Sequence, residues 1–109
     1  MDGPIIDRER LASFSAGDAA LERELLALYL ETAALYVDRM RRAGNDAAAW
    51  RSGAHALKGA SANIGAVAVA RLAARYEQET PNLGALGQLE REIGEVRQVA
   101  DTLSSTPRG

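Results

Sequence analysis

"LERELLALYLETAALYVDRM" (residues 21–40) decides the fold. Leu21, Leu25, Leu28, Thr32 and Leu35 step by four and three, the spacing of one apolar stripe on an amphipathic helix. The stretch holds no proline or glycine and no strand-like alternation, so a helix runs roughly over 17–43. "SAGD" (15–18) reads as a capping-box variant before it. "RRAGND" (41–46) closes it, with basic residues in the last turn and Gly44 as the stop.

The same reading extends outward from this helix. A short helix spans about 7–14. Asn45 or Asp46 caps a third over about 46–64, which Gly65 ends. A fourth covers 66–79, using Val69, Leu72, Ala73 and Tyr76. Thr80 followed by Pro81 reads as an N-cap with proline at the first helical position. The fifth covers about 82–104, with Leu86, Leu89, Ile93, Val96, Ala100 and Leu103 on one face. Gly84, Gly87 and Gly94 weaken it, by roughly 1 kcal/mol each relative to alanine if interior. The tail from about 105 to 109 is expected to fray. Four amphipathic helices with short connections predict an all-α, antiparallel four-helix bundle with a short additional N-terminal helix, one domain over 1–109.

Composition narrows the function. The chain has 109 residues, 47% hydrophobic and 26% charged, with net charge −2. Such a balance is globular and offers no basic nucleic-acid footprint. No apolar run of about 18 residues predicts a membrane span, and the N-terminus lacks the pattern of a signal peptide. The chain has no cysteine, which excludes disulfides and thiolate metal sites and fits a cytoplasmic protein. With one histidine and no cysteine, no His/Cys zinc site is expected. No glycine-rich nucleotide cradle is present either.

The one histidine stands in "AHALKGASANIGA" (54–66). At 100° per residue, Trp50, Ala54, Leu57, Ser61 and Ile64 share a narrow arc that marks the core face. His55 lies on the order of 130° from its centre and faces solvent or a partner. Arg51, Lys58, Gly59 and Ala62 are its neighbours at i−4, i+3, i+4 and i+7. A neutral imidazole is a competent nucleophile near pH 7. Lys58 is placed to stabilise an attached dianionic phosphoryl group. Gly59 and Ala62 clear space for a reactant, although Gly59 would equally permit close helix packing. Ser61, on the core face, is expected to bond back to its own helix. On the long helix, Leu26, Leu30 and Val37 form a second apolar flank. That flank either covers the first helix or docks a partner.

The stretch 54–66 closely resembles the motif of histidine phosphotransfer (HPt) domains. His55, Leu57, Lys58, Gly59, Ser61, Gly65 and Ala66 all match the pattern, and "LAARYE" (72–77) resembles the family's following helix, which often ends in a hydrophobic residue and glutamate. The resemblance implies a four-helix bundle that carries phosphoryl groups between aspartates of response-regulator receiver domains, in a multistep phosphorelay. By carry-over, His55 is the phosphoacceptor, Lys58 the phosphate-stabilising cation and Gly59 the residue that leaves room for the receiver. Arg51 is added from helix geometry, since the family requires no base there. With Ala62, Leu30 and Val37 it makes up the expected partner-facing set.

The expected partners are receiver domains and a histidine kinase, possibly a hybrid one, with no nucleic acid and no membrane. A monomer is expected. No cofactor or metal belongs to this chain, and Mg2+ belongs to the receiver. No intrinsic kinase or ATPase activity is expected. Two other readings remain open. One is a phosphoacceptor domain served directly by a separate kinase's ATP-binding domain. The other is a non-catalytic helical binding module. Ala56 directly after the histidine argues against the dimeric phosphoacceptor domains of ordinary sensor kinases, which usually place an acid there.

Overall fold

In the computed structural model, residues 5–105 are described. They form α1 (Arg8–Ser15), α2 (Ala19–Ala43), α3 (Ala47–Ile64), α4 (Val67–Glu77) and α5 (Leu83–Ser105). α2 packs on α3 and α5, α3 on α4, and α4 on α5, which closes an antiparallel four-helix ring. α1 lies against α2 and α3. The predicted bundle with its extra N-terminal helix is the observed one. The expected fraying of the tail concerns residues that lie almost wholly outside those described.

Short polar side chains set the helix starts. Asp7 accepts from the Arg10 N–H, Asp18 from the Ala20 and Leu21 N–H groups, and Asp46 from those of Ala48 and Ala49. Each satisfies donors that a first helical turn leaves unpaired. Two sequence expectations fail here. Ser15 does not cap α2. It closes α1 and donates to the buried Glu22 carboxylate at 3.1 Å. Thr80 and Pro81 do not open α5 either. Asn82 caps it, accepting from the Ala85 N–H at 2.7 Å. α4 is also shorter than expected, with Gln78 as its C-cap.

The core face of α2 differs from the expected one. Leu28 and Leu35 are exposed at 61% and 68%, and Leu21 is exposed as well. The buried line is Leu26, Tyr29, Leu30, Ala33, Val37 and Met40. It is rotated on the order of 130° from the leucine stripe at 100° per residue. α2 is held from two sides, by α3 and α5, so its core arc is set by those neighbours and not by its largest side chains. Leu30 and Val37 therefore belong to the core. They share grooves with Ala100 and Ile93 of α5 and offer no free surface to a partner, which corrects their assignment as docking residues.

Two glycines bear on how α3 sits. A Cβ on Gly53 would stand 2.7 Å from Met40 Cγ, so Gly53 permits the close approach of α2 and α3. Gly65 has φ of +90°, the left-handed region that favours glycine. It ends α3 where the N-terminal segment crosses. The Asp7 N–H donates to the Gly65 carbonyl at 2.7 Å, and the Val67 N–H to the Ile5 carbonyl at 3.1 Å. This strap fixes the tight α3–α4 turn.

Candidate functional site

α3 follows its predicted face closely. Trp50, Ala54, Leu57, Ser61 and Ile64 are all buried. His55 points away from them, with its side chain 66% exposed. Arg51, Gly59 and Ala62 are exposed on the same helix, and Lys58 is half-buried. A Cβ on Gly59 would meet nothing within 4 Å. Gly59 thus serves no packing contact within the described chain, and the space above it is open. Ser61 does not bond back to its helix. Its hydroxyl meets the Tyr29 hydroxyl at 2.7 Å inside the core. Burial there pushes the Tyr29 phenol up to about 12.

The residue that sequence reasoning did not assign is Glu77, at the end of α4. Its Oε2 lies 2.8 Å from His55 Nδ1, and its Oε1 lies 2.6 Å from Lys58 Nζ. The Lys58 contact is a close ion pair. The Glu77 side chain is only 12% exposed. Lys58 first, and His55 second, hold its carboxyl below the usual carboxylate range against the opposing effect of desolvation. Glu77 is therefore ionised near neutral pH, and an ionised carboxylate only accepts. Nδ1 must carry the proton that Glu77 accepts. In the neutral ring the lone pair then sits on Nε2, which has no partner among the described residues.

Glu77 is held in place by its neighbours. The Trp50 indole N–H donates to the Tyr76 carbonyl at 2.9 Å, and the Tyr76 hydroxyl donates to Gln88 Oε1 on α5. The end of α4 is thus tied to α3 and α5 at the residue before Glu77. A sequence signal for the pairing exists. His55 stands ten residues before Gly65, and Glu77 eleven after Ala66. Folding the hairpin on that turn brings the two level.

Ala48, Arg51, Ser52, His55 and Glu77 line one shallow hollow of about 300 Å³. Among the described residues, no group of three or more His, Cys, Asp or Glu side chains could hold a metal ion. No helix there is long and apolar enough to cross a membrane.

A model of the Hpt domain matches residues 24–105, three quarters of the chain. The chain belongs to the Hpt domain family. This Hpt domain is also similar to a solved structure, that of histidine-containing phosphotransfer protein B (HptB) from Pseudomonas aeruginosa PAO1. The likeness has a TM-score of 0.81 and 27% identity, and covers 98% of this chain and 100% of that one. A search of curated proteins finds no match. Hpt domains serve histidine phosphotransfer in phosphorelays, alongside histidine kinases and response regulators.

Proposed function

We propose that this Hpt domain relays a phosphoryl group between aspartates of response-regulator receiver domains through phospho-His55. The observation that carries the reading is the exposed His55 ring. Its Nδ1 proton is engaged by an ionised Glu77, which leaves Nε2 unpartnered.

In the forward step the Nε2 lone pair attacks the phosphorus of a receiver aspartyl phosphate. The N–P bond forms as the P–O bond breaks, and the aspartate leaves as a carboxylate with that electron pair. The Nδ1 proton stays on the ring. Positive charge develops there, and Glu77 lies against it. The reverse step passes the group to a second receiver. This chemistry depends on positioning and electrostatics. Glu77 is a positioning residue that fixes which nitrogen reacts. Lys58 pairs with Glu77 beside the ring, and Gly59 leaves the receiver room to approach. Mg2+ is assigned to the receiver, and the protein is read as cytoplasmic and monomeric.

The test is phosphotransfer from a panel of phosphorylated receiver domains to the wild-type protein and to His55→Gln. Acid-labile label on the wild type alone supports the relay. Label only from a kinase's ATP-binding domain supports direct phosphorylation instead. No label from either source overturns the phosphoacceptor assignment.

A further inference from the structure

Lys58 is not a free cation. It is half-buried and sits 2.6 Å from Glu77 Oε1, so much of its charge is compensated before any phosphoryl group arrives. A dianion on Nε2 would meet a lysine already paired with a carboxylate, and that carboxylate lies 2.8 Å from the same ring. The counter-charge for the phosphoryl group must come largely from elsewhere.

One turn toward the N-terminus of α3 stands Arg51. It is exposed, with no ion-pair or hydrogen-bond partner among the described residues. It lies four residues before His55, and Ser52 lies three before, so both are nearest neighbours of His55 on the helix surface. Both line the hollow that also contains His55 and Glu77, and Ala48 on its far side is too small to fill it. The hollow thus brings together a nucleophilic ring, an uncompensated guanidinium and a hydroxyl. A guanidinium presents its donors in a planar fork that suits phosphate oxygens.

We infer that Arg51, with the Ser52 hydroxyl beside it, holds the phosphoryl group on His55, while Lys58 chiefly neutralises Glu77. This assignment rests on the phosphoacceptor reading above and adds to it the residue that carries the phosphate's charge.

The experiment uses the full chain, phosphorylated with phosphoramidate. Nε2 takes the phosphoryl group as the donor P–N bond breaks and ammonia leaves. The 31P shift of phospho-His55 is then titrated with pH in wild type, Arg51→Gln and Arg51→Lys. A nearby cation favours loss of the last proton from the phospho-imidazole. Removing it should raise the midpoint by ~0.2–0.7 pH unit, the range of an exposed ion pair. Hydrolysis through the protonated form, at a fixed pH well above that midpoint, should quicken by about 1.5- to 5-fold, the same shift expressed as a rate ratio. Arg51→Lys should stay near wild type.

Coincident titrations for wild type and Arg51→Gln would overturn the inference. If Arg51→Gln then slowed only transfer to receivers, Arg51 would be a docking residue. A wild-type protein that takes label from neither phosphoramidate nor any receiver would instead overturn the phosphoacceptor reading, and this inference with it.

Discussion

Glu77 Oε2 stands 2.8 Å from His55 Nδ1, although 22 residues separate the two in the chain. The contact joins the end of α4 to the exposed face of α3. It makes the tautomer of the His55 ring depend on a residue of another helix.

Glu77→Ala should therefore let the His55 proton distribute over both ring nitrogens. Nitrogen NMR of the imidazole should show a mixed tautomer in place of the Nδ1–H form. Transfer should slow by about 10-fold, a loss of roughly 1.4 kcal/mol in transition-state stabilisation. Glu77→Gln keeps an acceptor oxygen and should fall between the two proteins. A wild-type tautomer ratio in Glu77→Ala would remove the positioning role.

The same carboxyl gives the fold an acid dependence. Its folded pKa lies below the ordinary 4.5 because of Lys58 and His55. A group depressed on folding contributes stability that is fully present above its unfolded value and is lost as pH falls through the folded one. Denaturant midpoints should drop on acidification below about 4.5. Glu77→Gln should lose that part of the slope. Equal slopes for both proteins would show that other carboxyls cause the drop.

The two mid-helix glycines of α3 should respond in opposite ways to alanine. Gly53→Ala places a methyl against Met40 Cγ and should destabilise by ~1–3 kcal/mol, as overpacking does. Gly59→Ala meets open space and gains helix propensity, up to ~1 kcal/mol of added stability. Yet it should slow transfer from a receiver. A Gly59→Ala protein that is stabilised and fully active would show that the space above Gly59 is not used.

Adjacent leucine positions on α2 should differ as sharply. Leu26→Ala opens a cavity in the core and should cost ~2–5 kcal/mol. Leu28→Ala removes an exposed side chain and should change stability by less than about 0.5 kcal/mol. Chemical denaturation of the two variants checks the face assignment directly.

Legibility in the sequence followed the local character of each signal. The core face of α3 was readable because its large apolar residues occupy one narrow arc, opposite a face of small and charged residues. α2 was not, because apolar residues occur nearly all round it. There the leucine stripe stood out by size, while Tyr29, Ala33 and Met40 fill the core that α3 and α5 define. Ser61 was misread for a similar reason. Its partner is Tyr29 on another helix, and helix periodicity carries no information about that pairing. His55, Lys58 and Gly59 were found through a short motif. Glu77 required the hairpin to be folded on its turn. Leu30 and Val37 show that an apolar flank does not reveal whether solvent or another helix lies against it.

Trp50 is the only tryptophan in the chain. It is buried five residues before His55, and its indole N–H is bonded to the carbonyl of the residue preceding Glu77. The molecule therefore contains its own fluorophore at the joint that holds the neighbour of the His55 ring. An indole in that setting should emit at short wavelength and shift to the red when the end of α4 lets go of α3. Unlabelled protein can thus report whether acid, a variant or a phosphoryl group loosens that joint, while helical circular dichroism shows whether the rest of the bundle is intact.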